Sequence, residues 1–370
     1  MKPNEATMSN NMLTSFRWIA IGVTFLLLQI SYADSIKPYV QLDTFLFSEP
    51  VSIKNAFDNS QSGYKSGGRD QYGSLWVEAG IKKGHWHSAM LYREEYRYRF
   101  SKDTADLYNS LNNTHSVDPG RLYQLGLNIE RFRAKGLRLA YNWIPSKHFQ
   151  LQLGGSYFQT SHLLSGSLTG SAIANSNNDY DYQVNVDYAY EEDVLFGRGP
   201  VQAPDGRGYA LDLTGNWNIT PRLSLSANVR DISGRIRWKL APASVGTLTS
   251  SVKTIGSDGF MTILPAIQGT HSIRDVYTQK IKLSGKAALH YQLADGQNAI
   301  HLKSRFFADR RFLGIGGEKA LLSGQVSATI WPDLKVLELG YRSKKLSLAM
   351  GLDNLDIANA RTFWLSLGLQ

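Results

Sequence analysis

The stretch from residue 280 to 293 reads Lys280-Ile281-Lys282-Leu283-Ser284-Gly285-Lys286-Ala287-Ala288-Leu289-His290-Tyr291-Gln292-Leu293. Its odd positions carry Ile281, Leu283, Gly285, Ala287, Leu289, Tyr291 and Leu293. The even ones carry Lys280, Lys282, Ser284, Lys286, Ala288, His290 and Gln292. A helix returns to one face every 3.6 residues and would mix the two sets, whereas a strand sends successive side chains to opposite faces. The stretch therefore reads as a strand with one oily and one wet side. The same two-residue rhythm recurs in Tyr123, Leu125, Leu127 and Ile129; in Leu137, Leu139, Tyr141 and Trp143; in Phe149, Leu151, Leu153, Gly155 and Tyr157; and in Tyr209, Leu211, Leu213, Gly215, Trp217 and Ile219.

From Lys37 to Gln370 the chain repeats such segments, each closed by a turn. That predicts an all-β fold, an antiparallel up-and-down transmembrane barrel over residues 34–370. Each set carries an aromatic near a strand end, where Tyr and Trp sit at headgroup level. Tyr123, Tyr141, Trp143, Tyr157, Tyr209, Trp217, Tyr291 and Tyr341 are the expected membrane-interface residues. A soluble sandwich or lipocalin-like barrel also alternates, but it would leave a large apolar area in need of cover other than lipid.

The first 33 residues read as a secretory leader: Lys2 and Arg17 flank the start, Trp18 to Ile30 are apolar, and Ser31-Tyr32-Ala33 place small residues where cleavage after Ala33 is expected. That apolar run is shorter than the roughly 20 residues a transmembrane helix needs. The chain has no cysteine, which excludes a disulfide framework and thiol-bound metal. Its 42% hydrophobic content suits a barrel whose strands are half wet. At roughly 20 to 28 residues per strand and connection, about 14 strands fit, with 12 to 16 open.

Lys83-Gly84, Ala134 to Gly136, Thr220-Pro221 and Ser343 to Lys345 read as tight turns, and in the first half only Pro145 to Lys147 fits an alternation of short and long connections poorly. Ser48 to Tyr72, Ser101 to Gly120, Thr160 to Asp179, Asp193 to Gly206 and Ala241 to Val276 read as long connections. With Lys319 to Trp331 taken as one strand and Asp309 to Glu318 as a loop, the alternation of short and long connections fails in the second half. An extra strand within Thr160 to Ala174, or a plug within Ala241 to Val276, would repair it.

The chain ends with Phe363, Leu365, Leu367 and Leu369 on one face and Gln370 last. This resembles the terminal strand by which the barrel-assembly machinery recognises its clients, although those usually end in Phe or Trp. The segment Leu223 to Trp238, with its Asn228-Val229-Arg230-Asp231-Ile232-Ser233-Gly234, and the later Leu352-Asp353-Asn354-Leu355 resemble an uncharacterised family of bacterial outer-membrane β-barrels, distantly similar to fatty-acid-channel-type barrels. The resemblance implies fold and an outer-membrane location, and it carries no reaction.

On the wet faces positive charge recurs: Arg93, Arg97 and Arg99 beside Glu95; Lys280, Lys282, Lys286 and His290; His301, Lys303 and Arg305. Lining a lumen, Arg93, Arg97, Arg99, Lys280, Lys282, Lys286, Lys303 and Arg305 would favour anions. Alternatively they pair with acids such as Glu78, Asp181, Asp187, Glu191 and Asp212 and fill the interior. The net charge of +9, or +8 without the leader, also suits contact with outer-membrane lipid and lipopolysaccharide phosphates. Nucleic acid is not an expected partner, because the charge is spread through alternating strands.

No enzyme chemistry is expected. His87 and Ser88 point to opposite faces, and His85, His115, His148, His162, His271, His290 and His301 are scattered outside any nucleophile motif. No cofactor or metal is expected either: Asn175 to Asp181 is rich in oxygen ligands but lacks the glycine and closing glutamate of a calcium loop. Two functions follow, a passive channel or transporter for a small or anionic solute, or a non-conducting barrel acting as an adhesion, assembly or secretion-accessory surface.

Overall fold

A computed structural model describes residues 36–58, 60–111, 118–176, 179–193, 203–255, 261–321 and 324–370. The expected leader and Asn177-Asn178 of the oxygen-rich run fall outside them. The strands are β1 (Ile36–Ser48), β2 (Asp70–Lys83), β3 (Trp86–Phe100), β4 (Leu122–Ser146), β5 (Phe149–Ser176), β6 (Asp179–Tyr190), β7 (Asp205–Asn218) and β8 (Leu223–Ile255), followed by β9 (Met261–Lys280), β10 (Ser284–Gln292), β11 (Asn298–Phe307), β12 (Arg310–Leu321), β13 (Gly324–Trp331), β14 (Val336–Ser343), β15 (Leu346–Leu352) and β16 (Thr362–Leu369). Two helices, α1 (Ile53–Phe57) and α2 (Lys102–Asn109), interrupt the loops after β1 and β3.

All pairings are antiparallel, and β1 pairs with both β2 and β16, so the sheet closes on itself. The sixteen segments fill fourteen places in the ring. β6 and β7 lie end to end between β5 and β8: Tyr190 of β6 sits opposite Leu164, and Gly206 of β7 opposite Thr160. β9 and β10 likewise follow one another along β8, broken at residues 281–283. Closure leaves the ring without an edge, which the hydrocarbon core demands because an unpaired N–H or C=O there finds no water.

The described ends of the chain, Ile36 and Gln370, share one rim with the short turns at 84–85, 147–148, 219–222, 294–297 and 344–345, while the turns at 308–309 and 332–335 lie at the other. At the other rim the upper parts of β4, β5 and β8, with β6 and β9, rise beyond their neighbours. Thr160 to Asp179 and Ala241 to Val276 are therefore mostly wall, not loop or plug. The broken parity is repaired elsewhere: the loop expected at Asp309 to Glu318 is β12, and the single strand expected at Lys319 to Trp331 is the end of β12 and all of β13.

The turn expected at Ala134 to Gly136 is the middle of β4, whose residues 133–143 pair without interruption to β5. A Cβ on Gly136 would stand 2.2 Å from the Tyr157 carbonyl oxygen and 2.5 Å from Phe158 Cβ. The glycine thus admits a close cross-strand approach rather than a reversal. Gly136→Ala should accordingly lower stability by about 1–3 kcal/mol, as overpacking does, read as a reduced urea midpoint of the refolded protein in detergent. An unchanged midpoint would return this position to a turn.

Candidate functional site in the barrel lumen

Alternation decides what faces inward. Along β7, burial switches at every residue from Asp205 to Asp212, with Tyr209 and Leu211 exposed and Ala210 and Asp212 buried. The outer wall is apolar: Leu137, Leu139, Leu153, Leu211, Ile300, Leu302, Ile315, Ile330, Leu337 and Leu339 are all exposed. Tyr141, Trp143, Tyr157, Tyr209, Trp217 and Tyr291 are exposed as expected of interface aromatics. Tyr209 and Trp217 lie eight positions apart on β7, about 26 Å along the strand, with Leu211 and Leu213 on the same phase between them. Tyr341 is half-buried. Tyr123 departs from the expectation: it is buried with Leu107 of α2, Ala172 and Ala174, and faces no lipid.

Inside, the expected basic residues meet acids. Arg93 is buried and donates two hydrogen bonds to Asp231, at 2.7 and 2.8 Å, and a third to Glu95. Its guanidinium also lies over Trp76 and Phe132, 5.1 and 5.2 Å from the ring centres. Arg97 and Arg99 share Asp309, each at 2.6 Å. Lys286 and Arg230 share Asp43, Lys303 pairs with Glu338 at 2.8 Å, and Lys282 with Glu130 at 3.4 Å. Arg305 instead stacks on Phe45 and Trp364, 4.6 and 4.8 Å from their centres.

Lys280 does not join this set. Across residues 281–283 the phase reverses: Gln279 and Ile281 are buried inward, while beyond the break Leu283, Leu289 and Tyr291 are the exposed positions. The alternation that runs unbroken through the sequence is thus interrupted in space, and Lys280 falls on the opposite phase from Lys286.

Sequence reasoning missed Arg138, buried between Glu78 at 3.1 Å and Asp212, and the acids Asp43, Asp231, Asp309 and Glu338. Asp231 has φ +60° and lies in a bulge where β8 residues 230–232 oppose Asp212 alone. The bulge turns the Asp231 carboxylate onto Arg93. His87 contacts Asn142 and Gln152, each at 2.9 Å. Ser244 lies 2.8 Å from His271 Nδ1, but the hydroxyl is buried and offers substrate no access. His290, His301 and Glu318 come together on β10, β11 and β12.

Two apolar clusters fill the lumen toward the loop rim. One joins Trp76, Leu91, Phe132, Phe158, Ile236, Trp238 and Ile281. The other joins Phe45, Phe47, Tyr72, Phe307, Phe312, Trp331 and Trp364. Below the second lies a cavity of about 320 Å³ whose wall includes Asn216, Lys286, Lys303, Arg305, Glu338 and Arg342. No helix among the described residues is long and apolar enough to cross a membrane.

It is a closed transmembrane-type β-barrel. No protein-family model and no curated protein matches the sequence. Among solved structures it is similar to a deltaS2S3 mutant of the monoaromatic hydrocarbon channel TodX (10% identity, 91% of this chain and 89% of that one, TM-score 0.41). It is also similar to the P. putida toluene transporter TodX (11%, 91% and 88%, 0.39) and to the translocator domain of the autotransporter NalP from Neisseria meningitidis (9%, 99% and 99%, 0.31). At these values the likeness does not bear on function.

Removing Arg93 alone strands the Asp231 and Glu95 carboxylates in the interior, while removing all three charges does not. Arg93→Met should therefore cost about 3–5 kcal/mol in urea unfolding, and Arg93→Met with Asp231→Ala and Glu95→Gln clearly less. Equal losses would show that the cluster is not buried as described.

Proposed function

We propose that the protein is an integral outer-membrane barrel that passes a small solute through its lumen, held here in a closed state. The cavity of about 320 Å³ carries this reading: it opens a space inside the ring, walled in part by Lys286, Lys303, Arg305 and Glu338, that reaches the Trp331–Trp364 layer. The volume suits a small solute. Arg305, its charge held against ring faces rather than by a carboxylate, favours an anionic one. The outer-membrane location rests on the apolar outer wall, its exposed aromatics and the expected leader.

The pairing of the other lumenal charges makes a wide anion-selective conduit a poor fit. The raised rim formed by β4, β5, β6, β8 and β9 favours a second reading, a non-conducting barrel that presents this surface to a partner.

Planar bilayers separate the two. Wild-type protein should give rare, small conductance steps. Phe307→Ala with Trp364→Ala, thinning the aromatic layer, should raise their frequency or size at least several-fold, and Arg305→Gln should shift the reversal potential away from anion preference. Silence of both wild type and the aromatic variant, with folded protein in the bilayer, would leave the second reading.

A further inference from the structure

On the lumenal faces of three adjacent strands stand His290 of β10, His301 of β11 and Glu318 of β12. His290 and His301 are direct cross-strand partners, with ring centres 5.6 Å apart. Glu318 Oε1 lies 3.4 Å from His290 Nδ1 and 3.6 Å from His301 Nδ1, and one ligand atom from each residue falls within 4.8 Å of the other two. In a tetrahedral site with metal–ligand bonds of about 2.0–2.1 Å, neighbouring ligand atoms are about 3.3 Å apart. The two separations from Glu318 match that spacing, and the two imidazole ligand atoms lie within 4.8 Å of each other.

A second observation concerns His301 alone. Its side chain is fully buried, and its Nε2 lies 2.8 Å from Thr329 Oγ1. Its Nδ1 has no hydrogen-bond partner among the described residues, although it faces the Glu318 carboxylate. A buried nitrogen without a partner is costly. In the tautomer whose Nε2–H donates to Thr329, Nδ1 presents a lone pair to the Glu318 oxygen, 3.6 Å away and too far for a hydrogen bond. Two electron-rich atoms held this way call for a cation between them. Thr329 then plays the outer partner that fixes a metal-binding imidazole. Gly316 completes the arrangement, because a Cβ there would stand 2.6 Å from His301 Nε2.

We propose that His290, His301 and Glu318 bind one divalent transition-metal cation, with zinc the reference ion. Two imidazoles and a carboxylate suit zinc, nickel, copper or ferrous iron rather than magnesium or calcium. Three protein ligands leave a fourth position, and Glu318 lines the main cavity, so that position opens to the lumen. The nearby Lys303 is neutralised by Glu338, which limits its repulsion of a bound cation; Arg342 lines the same cavity. The site stands whether or not the lumen conducts.

The test uses full-length barrel, purified without a histidine tag, stripped with chelator and titrated with Zn²⁺ by calorimetry, with bound metal counted by elemental analysis. One zinc per chain should bind. His290→Gln, His301→Gln and Glu318→Gln should each weaken binding by well over tenfold, and Thr329→Val by about tenfold, as loss of an outer partner does. His148→Gln should leave binding unchanged. Co²⁺ should give the intense visible absorption of a tetrahedral site, lost in Glu318→Gln. Heat-modifiable migration confirms that each variant is folded. Absence of stoichiometric zinc, or zinc unaffected in folded Glu318→Gln and His301→Gln, would overturn the proposal and leave the trio as a proton-sharing cluster.

Discussion

Everything in this molecule depends on the seam where β1 meets β16. In water an unpaired strand edge is a liability; in hydrocarbon it is prohibitive, because each stranded N–H or C=O costs several kcal/mol. Residues Val40 to Phe47 pair in register with Leu369 back to Thr362 and remove that edge. Closure also creates an inside and an outside, so the two-residue alternation becomes a division between lipid and lumen. Charged residues are tolerable in such a chain only because the ring gives them an interior in which to meet.

The interior is organised by pairing. Asp43 gathers Lys286 and Arg230, Glu338 holds Lys303 and accepts the Trp364 indole N–H at 3.1 Å, and Asp231 takes Arg93. Each joins strands far apart in sequence across the lumen. Where carboxylates run out, arginines lie on aromatic faces, as Arg305 does, an arrangement that keeps a cation in a poorly hydrated place. The His290–His301–Glu318 trio and the cavity both lie on the β10–β14 side of this interior.

The alternation was legible because it is local: Leu137, Leu139, Tyr141 and Trp143 needed no partner to declare their face. Boundaries were less so. Ala134 to Gly136 resembles a turn only when Phe158 and the Tyr157 carbonyl, which need the glycine, are out of view. β12 was hidden by Gly314 and Gly316, whose missing side chains make room for the Trp331 ring and for His301. The reversal of phase at residues 281–283 is invisible in an unbroken pattern, since it answers the bulge around Asp231 on the neighbouring strand. For the sites, basic residues could be listed from the sequence but not their partners. The His290–His301 pair had one available signal: both flank the loop at 294–297 symmetrically, which places them opposite each other in a hairpin.

The central claim is that one phase of each strand touches lipid and the other the lumen, and the chain's lack of cysteine makes it directly testable. Single cysteines placed in turn from 207 to 217, carrying a fluorophore in bilayers with brominated lipid, should show strong quenching at 209, 211, 213, 215 and 217. Little should appear at 208, 210, 212, 214 and 216. Quenching without a two-residue period, or a chain that remains a soluble monomer beside those bilayers, would contradict the account.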